Sequence, residues 1–375
     1  MNNNITCNIE QCTKCILDTT VEDICFDQNG VCNYCREYDS VIKTIPYREE
    51  AKEVLNQIVK QIKQDGKNKN YDCILGLSGG VDSTYLAYLV VELGLRPLVV
   101  HIDTGWNSEI AVQNIENVVN ILNLDLHTHV IDWEEMKDLQ LAFFKASVPD
   151  CDIPQDHVFP ALLNKIAKEN KIKHIVSGHN IVTEYILPRN WSYDSNDLTH
   201  ILDIHKRFGK IPLKKYPRYS LFDRMFTYRW IFPVKSHRFL YYVPYNKEEI
   251  KKFIQEKLGW RDYGGKHFES RFTKFFQSYY LPTKFGFDKR KAHLSNLIVS
   301  NQLTKDSALE ELSKKLYDVK ELENDKEYIC KKLDITLEEW NKIMNLPLKK
   351  HQEYKSDYNK LWYKIYQKIR GILKK

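Results

Sequence analysis

The stretch Tyr71-Asp-Cys-Ile-Leu-Gly-Leu-Ser-Gly-Gly-Val-Asp-Ser-Thr84 constrains the fold more than any other part of the chain. Cys73 to Leu77 is a short apolar run, the pattern of a central parallel strand covered on both faces. Ser78-Gly79-Gly80-Val81-Asp82-Ser83 follows at once. Glycine lets the backbone turn tightly and approach a phosphate with no Cβ in the way. An apolar helix is predicted from 83 to 93. Its free N–H groups and positive dipole end point back at the turn, which makes an anion site.

Downstream the pattern stays strand–helix. Arg96 to Ile102 reads as a second buried strand, Ile110 to Leu122 as a helix and Leu126 to Ile131 as a third strand. Asp132-Trp-Glu-Glu135 resembles a capping box opening the next helix, and Asn246-Lys-Glu-Glu249 opens another. Phe159 to Glu169 is predicted helical and Lys173 to Ser177 a fourth strand. Strands alternating with helices give an α/β fold with a doubly wound parallel sheet. Ligands bind at the carboxyl ends of such strands, so the loops after 77, 102 and 177 are expected to meet at one site. Residues 185–245 have few clean periods, and 304–375 read as lysine-rich helices.

The net charge of +6 is mild. It suits an anionic substrate but falls short of a dedicated nucleic-acid domain, whose pI exceeds about 9. No uninterrupted apolar run reaches the ~18 residues of a membrane span. The beginning, Met1-Asn-Asn-Asn-Ile-Thr-Cys7, lacks a signal peptide's basic and apolar regions, so a cytoplasmic location is expected. In that compartment nine cysteines are not a disulfide framework. Cys12-x-x-Cys15 and Cys32-x-x-Cys35 instead match the spacing of a closed four-thiolate structural zinc site. Asp27-Gln-Asn-Gly30 supplies the turn between the knuckles; Cys7 and Cys25 are spare, with Cys7 an alternative ligand. The expected organisation is a zinc module over 1–40, a linker helix over 41–70, a nucleotide domain over 71–250 and a mainly helical substrate or partner region over 251–375.

Several constellations carry candidate chemistry. Ser78, Gly79, Gly80, Asp82 and Ser83 form the anion turn. Asp103 ends the second strand; in the ATP pyrophosphatases that the SGGVDS turn resembles, this edge lies beside the adenine and ribose, which implies a metal or ribose contact. Ser177-Gly178-His179-Asn180 ends the fourth, where Gly178 permits close approach and Asn180 and Glu184 are polar groups at the active end. Asp82 and Glu184 suit magnesium, a hard cation that takes oxygen ligands. Asp156 and His157 are candidates for sugar or base contacts. Lys266 and Arg271 are candidates to stabilise charge developing on a leaving anion, and Lys289, Arg290 and His293 to hold an anionic substrate. For each of these the alternative is an ordinary cap or a solvated surface charge. His157, His179 and His267 are the candidate general bases.

The SGGVDS turn resembles the pyrophosphate (PP) loop of the N-type ATP pyrophosphatases; it is not a Walker A loop, because no Gly-Lys-Ser/Thr closes it. A more specific resemblance covers roughly residues 10–305. Cys-Thr-Lys-Cys-x-x-Asp-Thr-Thr (12–20), Phe26-Asp-x-Asn-Gly-Val-Cys-Asn-Tyr-Cys35, Leu187-Pro-Arg-Asn-Trp191, GGKHFESRFTKF and LPTKFGFDKRKAHLS resemble the N-acetyl sugar amidotransferase family. That family serves lipopolysaccharide O-antigen synthesis and the pseudaminic or legionaminic acid pathways, including flagellin glycosylation.

The resemblance implies that ATP adenylates the oxygen of a sugar acetamido group and that ammonia then yields an acetamidino group. It implies ATP, Mg2+ and structural Zn2+, with Asp82, Glu184, Lys266, His267 and Arg271 in the catalytic set. Arg189, Trp191 and Glu269 join the substrate contacts. The acceptor would be a nucleotide sugar or a nonulosonic acid. Position 2 is Asn and no Gly-x-Cys-x-Gly elbow is present, so neither familiar glutaminase is built in. The resemblance implies separate glutaminase and cyclase-like partners, with no nucleic acid. The rivals are a tRNA thiolase, for which Cys151 is the candidate nucleophile, and a non-catalytic nucleotide sensor.

Overall fold

The computed structural model describes residues 10–266 and 268–373. Its sheet has five parallel strands: β1 (Cys73–Gly76), β2 (Pro97–Asp103), β3 (Asp125–Val130), β4 (His174–Val176) and β5 (Lys235–His237), in the order β3-β2-β1-β4-β5. β1 is central, and Leu75 pairs with Val99 on one side and Val176 on the other. Side chains alternate across the sheet. Ile74, Leu98 and Val100 join a core with Met136, Leu139, Phe143 and Leu162. Cys73, Leu75 and Val99 face the opposite layer, with Leu86, Val90, Ile115 and Val118. This period of two, with helices against both faces, is what near-continuous apolar strands impose. Each fully buried Leu, Ile or Val contributes about 1.5–3 kcal/mol. The fold is the α/β arrangement that the sequence predicts.

The helices Val81–Glu92, Glu109–Ile121, Trp133–Ala146 and Ile153–Glu169 connect the first four strands. Ser108, Asp132 and Asn246 cap helices by accepting backbone N–H groups of Ala111, Glu135, and Glu248 with Glu249. Neither predicted capping box is closed by its glutamate. Glu135 is not the returning half of a capping box; its carboxylate accepts the backbone N–H groups of Lys214, Lys215 and Tyr216 at 2.7–2.9 Å. It pins an irregular segment instead. β3 is an edge strand with Leu126 and Val130 exposed, so its polar alternation reflects solvent rather than core.

β5 escapes sequence reasoning. Lys-Ser-His is three residues, two of them exposed, and only its pairing with β4 makes it a strand. A π-helix, Asp223–Ile231, leads into it, and a second spans Phe276–Phe285. The later helices complete the first core: Phe144 packs on Phe272, Tyr280 and Trp340 at ring distances of 5.6, 4.9 and 5.1 Å. Among the described residues no helix is long and apolar enough to cross a membrane.

Candidate active site and metal centre

The glycine turn is held from all sides. Ser78 N–H donates to Ser83 Oγ at 3.3 Å and Gly80 N–H to Ser78 Oγ at 3.2 Å. Gly79 has φ +79°, and a Cβ there would lie 2.6 Å from the carbonyl oxygen of Ala111. Glycine is therefore required for conformation and for space. Gly80 caps the helix Val81–Glu92, whose first-turn N–H groups open onto the turn. A Cβ at Gly178, at the end of β4, would lie 3.5 Å from Ser83 Cα, so the two loops are in contact.

Asp82 lies beside Glu184. Burial, then the charge of Glu184, pushes the Asp82 carboxyl above its ordinary value, against the Tyr245 hydroxyl, Lys266 and Asn180. Asn180 Nδ2 donates to Asp82 Oδ1 at 3.2 Å while its Oδ1 caps Val182 N–H. Glu184 approaches His179 Nδ1 at 3.0 Å and Lys266 Nζ at 3.5 Å. Lys266 Nζ also donates to the Thr183 carbonyl at 2.8 Å. Two adjoining carboxylates, the second disfavouring charge on the first, are a donor set that fits magnesium.

The turn divides a bipartite cleft. One half, about 590 Å3, lies over the ends of β1 and β2 and is walled by Leu77, His101, Ile102, Asp150, Asp152 and Asp156. The other, about 700 Å3, is lined by Ser83, Lys247, Lys251, Tyr263 and Arg290. Ser78, Glu184, Lys266, Glu269, Lys289 and His293 line both. Asp156 is open to the lumen, yet the cleft walls and then Asp152 and Asp150 push its carboxyl well up, with Lys289 opposing them.

The structure separates the candidates. Gly178, Asp82, Glu184, Lys266, Glu269, Lys289, Arg290 and His293 all line the cleft, as does Asp156. Asp103 is a local cap instead: its Oδ1 accepts Gly105 N–H at 2.7 Å and the Asn107 amide at 3.2 Å. His157 is buried, with Nδ1 2.7 Å from the Ser195 carbonyl and Nε2 accepting Tyr219 N–H at 3.1 Å. Both ring nitrogens are occupied by the fold, so His157 has none for substrate. Arg189 pairs with Glu37 at 2.6 Å, and Trp191 is buried against Phe287. These two join the cysteine module to the segment that follows β4. Arg271 donates to Asp325 at 2.6 Å and lies 3.7 Å over the Tyr328 ring; it lines neither half of the cleft. Arg290 reaches the cleft but clamps Asp288 and the carbonyls of Glu311, Leu312 and Lys314. His267 lies outside the described residues.

Sequence reasoning missed Lys247, Tyr263 and Gln277. Lys247 is hidden inside a helix-start motif. Burial and then the charge of Lys266 push its ammonium below the ordinary lysine value. Cys151 is buried with its thiol against the Val148 carbonyl at 3.6 Å, and burial pushes it far above an ordinary thiol. It is unsuited to be a nucleophile.

Cys12, Cys15, Cys32 and Cys35 are buried with their sulfurs all within 4.8 Å of one another. Cys12 N–H hydrogen-bonds the Leu17 carbonyl, and Gly30, at φ +73°, makes the turn that returns the second knuckle. Hydrogen bonding with Cys12 and burial push the Cys15 and Cys35 thiols up. Four crowded soft donors fit one tetrahedral metal ion. Cys25 is exposed and apart, and Cys7 lies outside the described residues.

Comparison with known proteins fits this geometry. Residues 51–175 match the NAD synthase family, and residues 269–370 match the family described as LPS biosynthesis protein WbpG-like, C-terminal domain. Together they support an N-acetyl sugar amidotransferase-type PP-loop family, an ATP-using enzyme of glycan biosynthesis. No curated protein matches the chain. Among solved structures, NMN synthetase from Francisella tularensis is 16% identical over 56% of this chain and 88% of its own, with a TM-score of 0.30. The NH3-dependent NAD synthetase from Campylobacter jejuni is 17% identical over 56% and 93%, at 0.28. The U34-tRNA thiolase from Methanococcus maripaludis, solved with its 4Fe-4S cluster, is 15% identical over 83% and 91%, at 0.31. Superpositions this weak carry no functional argument.

Proposed function

We propose that the chain is an ATP-dependent amidotransferase that converts the acetamido group of a sugar into an acetamidino group. One observation carries this reading: the SGGVDS turn and Glu269, Gln277, Lys289 and His293 of the WbpG-like segment line one cleft. An adenylating turn thereby faces side chains from a region related to glycan biosynthesis.

The amide oxygen of the acceptor attacks the α-phosphorus of ATP, and the bond to the β-phosphate breaks. Pyrophosphate leaves against the turn's N–H groups, Lys247 and Lys266. Fixed cations and dipoles there stabilise charge as it develops. Ammonia adds to the activated carbon, AMP departs with the original oxygen, and a proton is released. Asp82 and Glu184 would hold magnesium, which offsets phosphate charge. The half-cleft over β2 takes the nucleoside, and Lys289 and His293 face the acceptor. Holding the reactants together removes most of the entropic barrier.

Zinc is the metal that four thiolates at this spacing favour, in a structural role. Ammonia is supplied by separate glutaminase and cyclase-like subunits, and the enzyme works in the cytoplasm. The acceptor is a nucleotide sugar or a nonulosonic acid of the pseudaminic or legionaminic kind.

The test is pyrophosphate release with ATP, magnesium and ammonium, against acetamido nucleotide sugars, nonulosonic acids and bulk tRNA. Release that depends on a sugar, with one oxygen of that sugar replaced by NH in its mass, supports the reading. Release that depends on tRNA alone overturns it.

A further inference from the structure

Two exposed apolar stretches contribute no residue to the cleft lining. On the π-helix Asp223–Ile231 and the residue before it, Phe222, Phe226, Trp230 and Ile231 are exposed, the last two at 72% and 73%. On the last described helix, Leu361–Leu373, Leu361, Trp362 and Ile365 are exposed at 74%, 40% and 49%. A monomer seldom shows clustered large apolar side chains without a use for them.

The two stretches adjoin. Arg224 of the π-helix donates to the Tyr358 hydroxyl at 3.0 Å, and the Tyr358 ring packs on Tyr363 of the last helix at 5.2 Å. Cations dominate the exposed charge, while the acids Asp194, Asp223 and Asp357 lie at the inner side, paired with Arg224, Ser220 and Lys360. Arg229 is exposed beside Trp230, and Lys235 and Arg238 are exposed on the segment that follows. From Lys360 to Lys375 the sequence holds six cations and no acid. Lys364 is exposed between Trp362 and Ile365.

We propose that this face binds an anionic lipid bilayer surface, lying on it rather than crossing it. Aromatic and aliphatic side chains flanked by lysine and arginine are the composition of helices that settle at the headgroup boundary. Tryptophan favours that boundary, and each cation near an anionic surface adds attraction. Protein interfaces, by contrast, are depleted in lysine. The proposal is independent of the reaction above and is measured without ATP or acceptor.

The test is co-sedimentation of the full chain with vesicles of phosphatidylcholine alone or containing phosphatidylglycerol. The expected result is binding to the anionic vesicles only, weakened by salt. Two double variants, Trp230→Ser with Ile231→Ser and Trp362→Ser with Ile365→Ser, should each lower partitioning about tenfold or more. Pyrophosphate release with dissolved substrates should not change in either. Absence of binding to anionic vesicles overturns the proposal, and so does binding that neither double variant weakens. A dimer that both variants dissolve, with no vesicle binding, also overturns it and assigns the face to a second copy of the chain.

Discussion

Trp260 donates its indole N–H to the carbonyl oxygen of Gly79 at 2.9 Å, joining the glycine turn to a residue 181 positions later. The peptide is planar, so fixing that carbonyl fixes the opposite direction of the Gly80 N–H. The orientation of a phosphate-binding turn thus depends on a side chain from the second half of the chain.

Trp260→Phe keeps the packed ring and removes only the donor. It should lower stability by about 1 kcal/mol, the net worth of one hydrogen bond, and weaken ATP binding several-fold. Gly79→Ala should do worse, because Ala at φ +79° also meets the Ala111 carbonyl. Urea unfolding and ATP titration of both variants measure this; equal ATP affinity in all three proteins would contradict it.

Cys15→Ser should strip the metal and loosen residues 10–45, because a module this small depends on its metal for folding. Cys25→Ser should change neither metal content nor protease resistance, since Cys25 stands outside the cluster. Elemental analysis of the purified proteins and limited proteolysis with and without chelator distinguish the two.

The strand and turn at 73–80 are legible in the sequence because an apolar run, two glycines and a helix start are all local signals. The cysteine cluster is legible for the same reason, since spacing alone brings each pair together. Arg271 is not. Dense charge beside glycines reads alike whether a guanidinium faces a cleft or Asp325, and only tertiary packing decides. Lys247 is hidden for the opposite reason: its local role at a helix start accounts for it before the cleft is considered. β5 carries no periodicity, so nothing short of its neighbour β4 defines it.

Acid should destabilise the fold through buried histidines. His351 Nε2 accepts Asp150 N–H at 3.2 Å, so its Nδ1 carries the proton and donates to His200 Nε2 at 3.0 Å. Burial holds His200 down at about 4, against 6.5 for the free side chain. A histidine with a lowered folded pKa leaves stability intact above 6.5 and removes it as pH falls towards 4. At about pH 5 the loss is roughly 2 kcal/mol for His200 alone. His200→Gln keeps an acceptor for His351 and cannot take up a proton. Its unfolding midpoint should fall less steeply over that window, and an unchanged slope would reject the assignment.

Arg271 and Lys289 separate structural from substrate-facing cations. Arg271→Ala leaves the nearly buried Asp325 with the Tyr317 hydroxyl, 2.7 Å away, as its partner among the described residues, and removes the cover of Tyr328. Stability should fall by about 1–3 kcal/mol, the usual cost of leaving a buried acceptor without its donor. The folded fraction should still release pyrophosphate at close to the normal rate. Arg271→Lys should recover only part of that stability, because an ammonium has neither the planar fork nor the ring stack. Lys289 lines both halves of the cleft and lies 5.9 Å from the Phe276 ring. Lys289→Ala should barely change unfolding, yet raise the acceptor's KM ~10–100-fold, the worth of one charged hydrogen bond. The ATP KM should move less. If Arg271→Ala instead unfolded normally and lost only turnover, the guanidinium would belong to the reaction, and the cleft would have to open towards Asp325 when substrate binds.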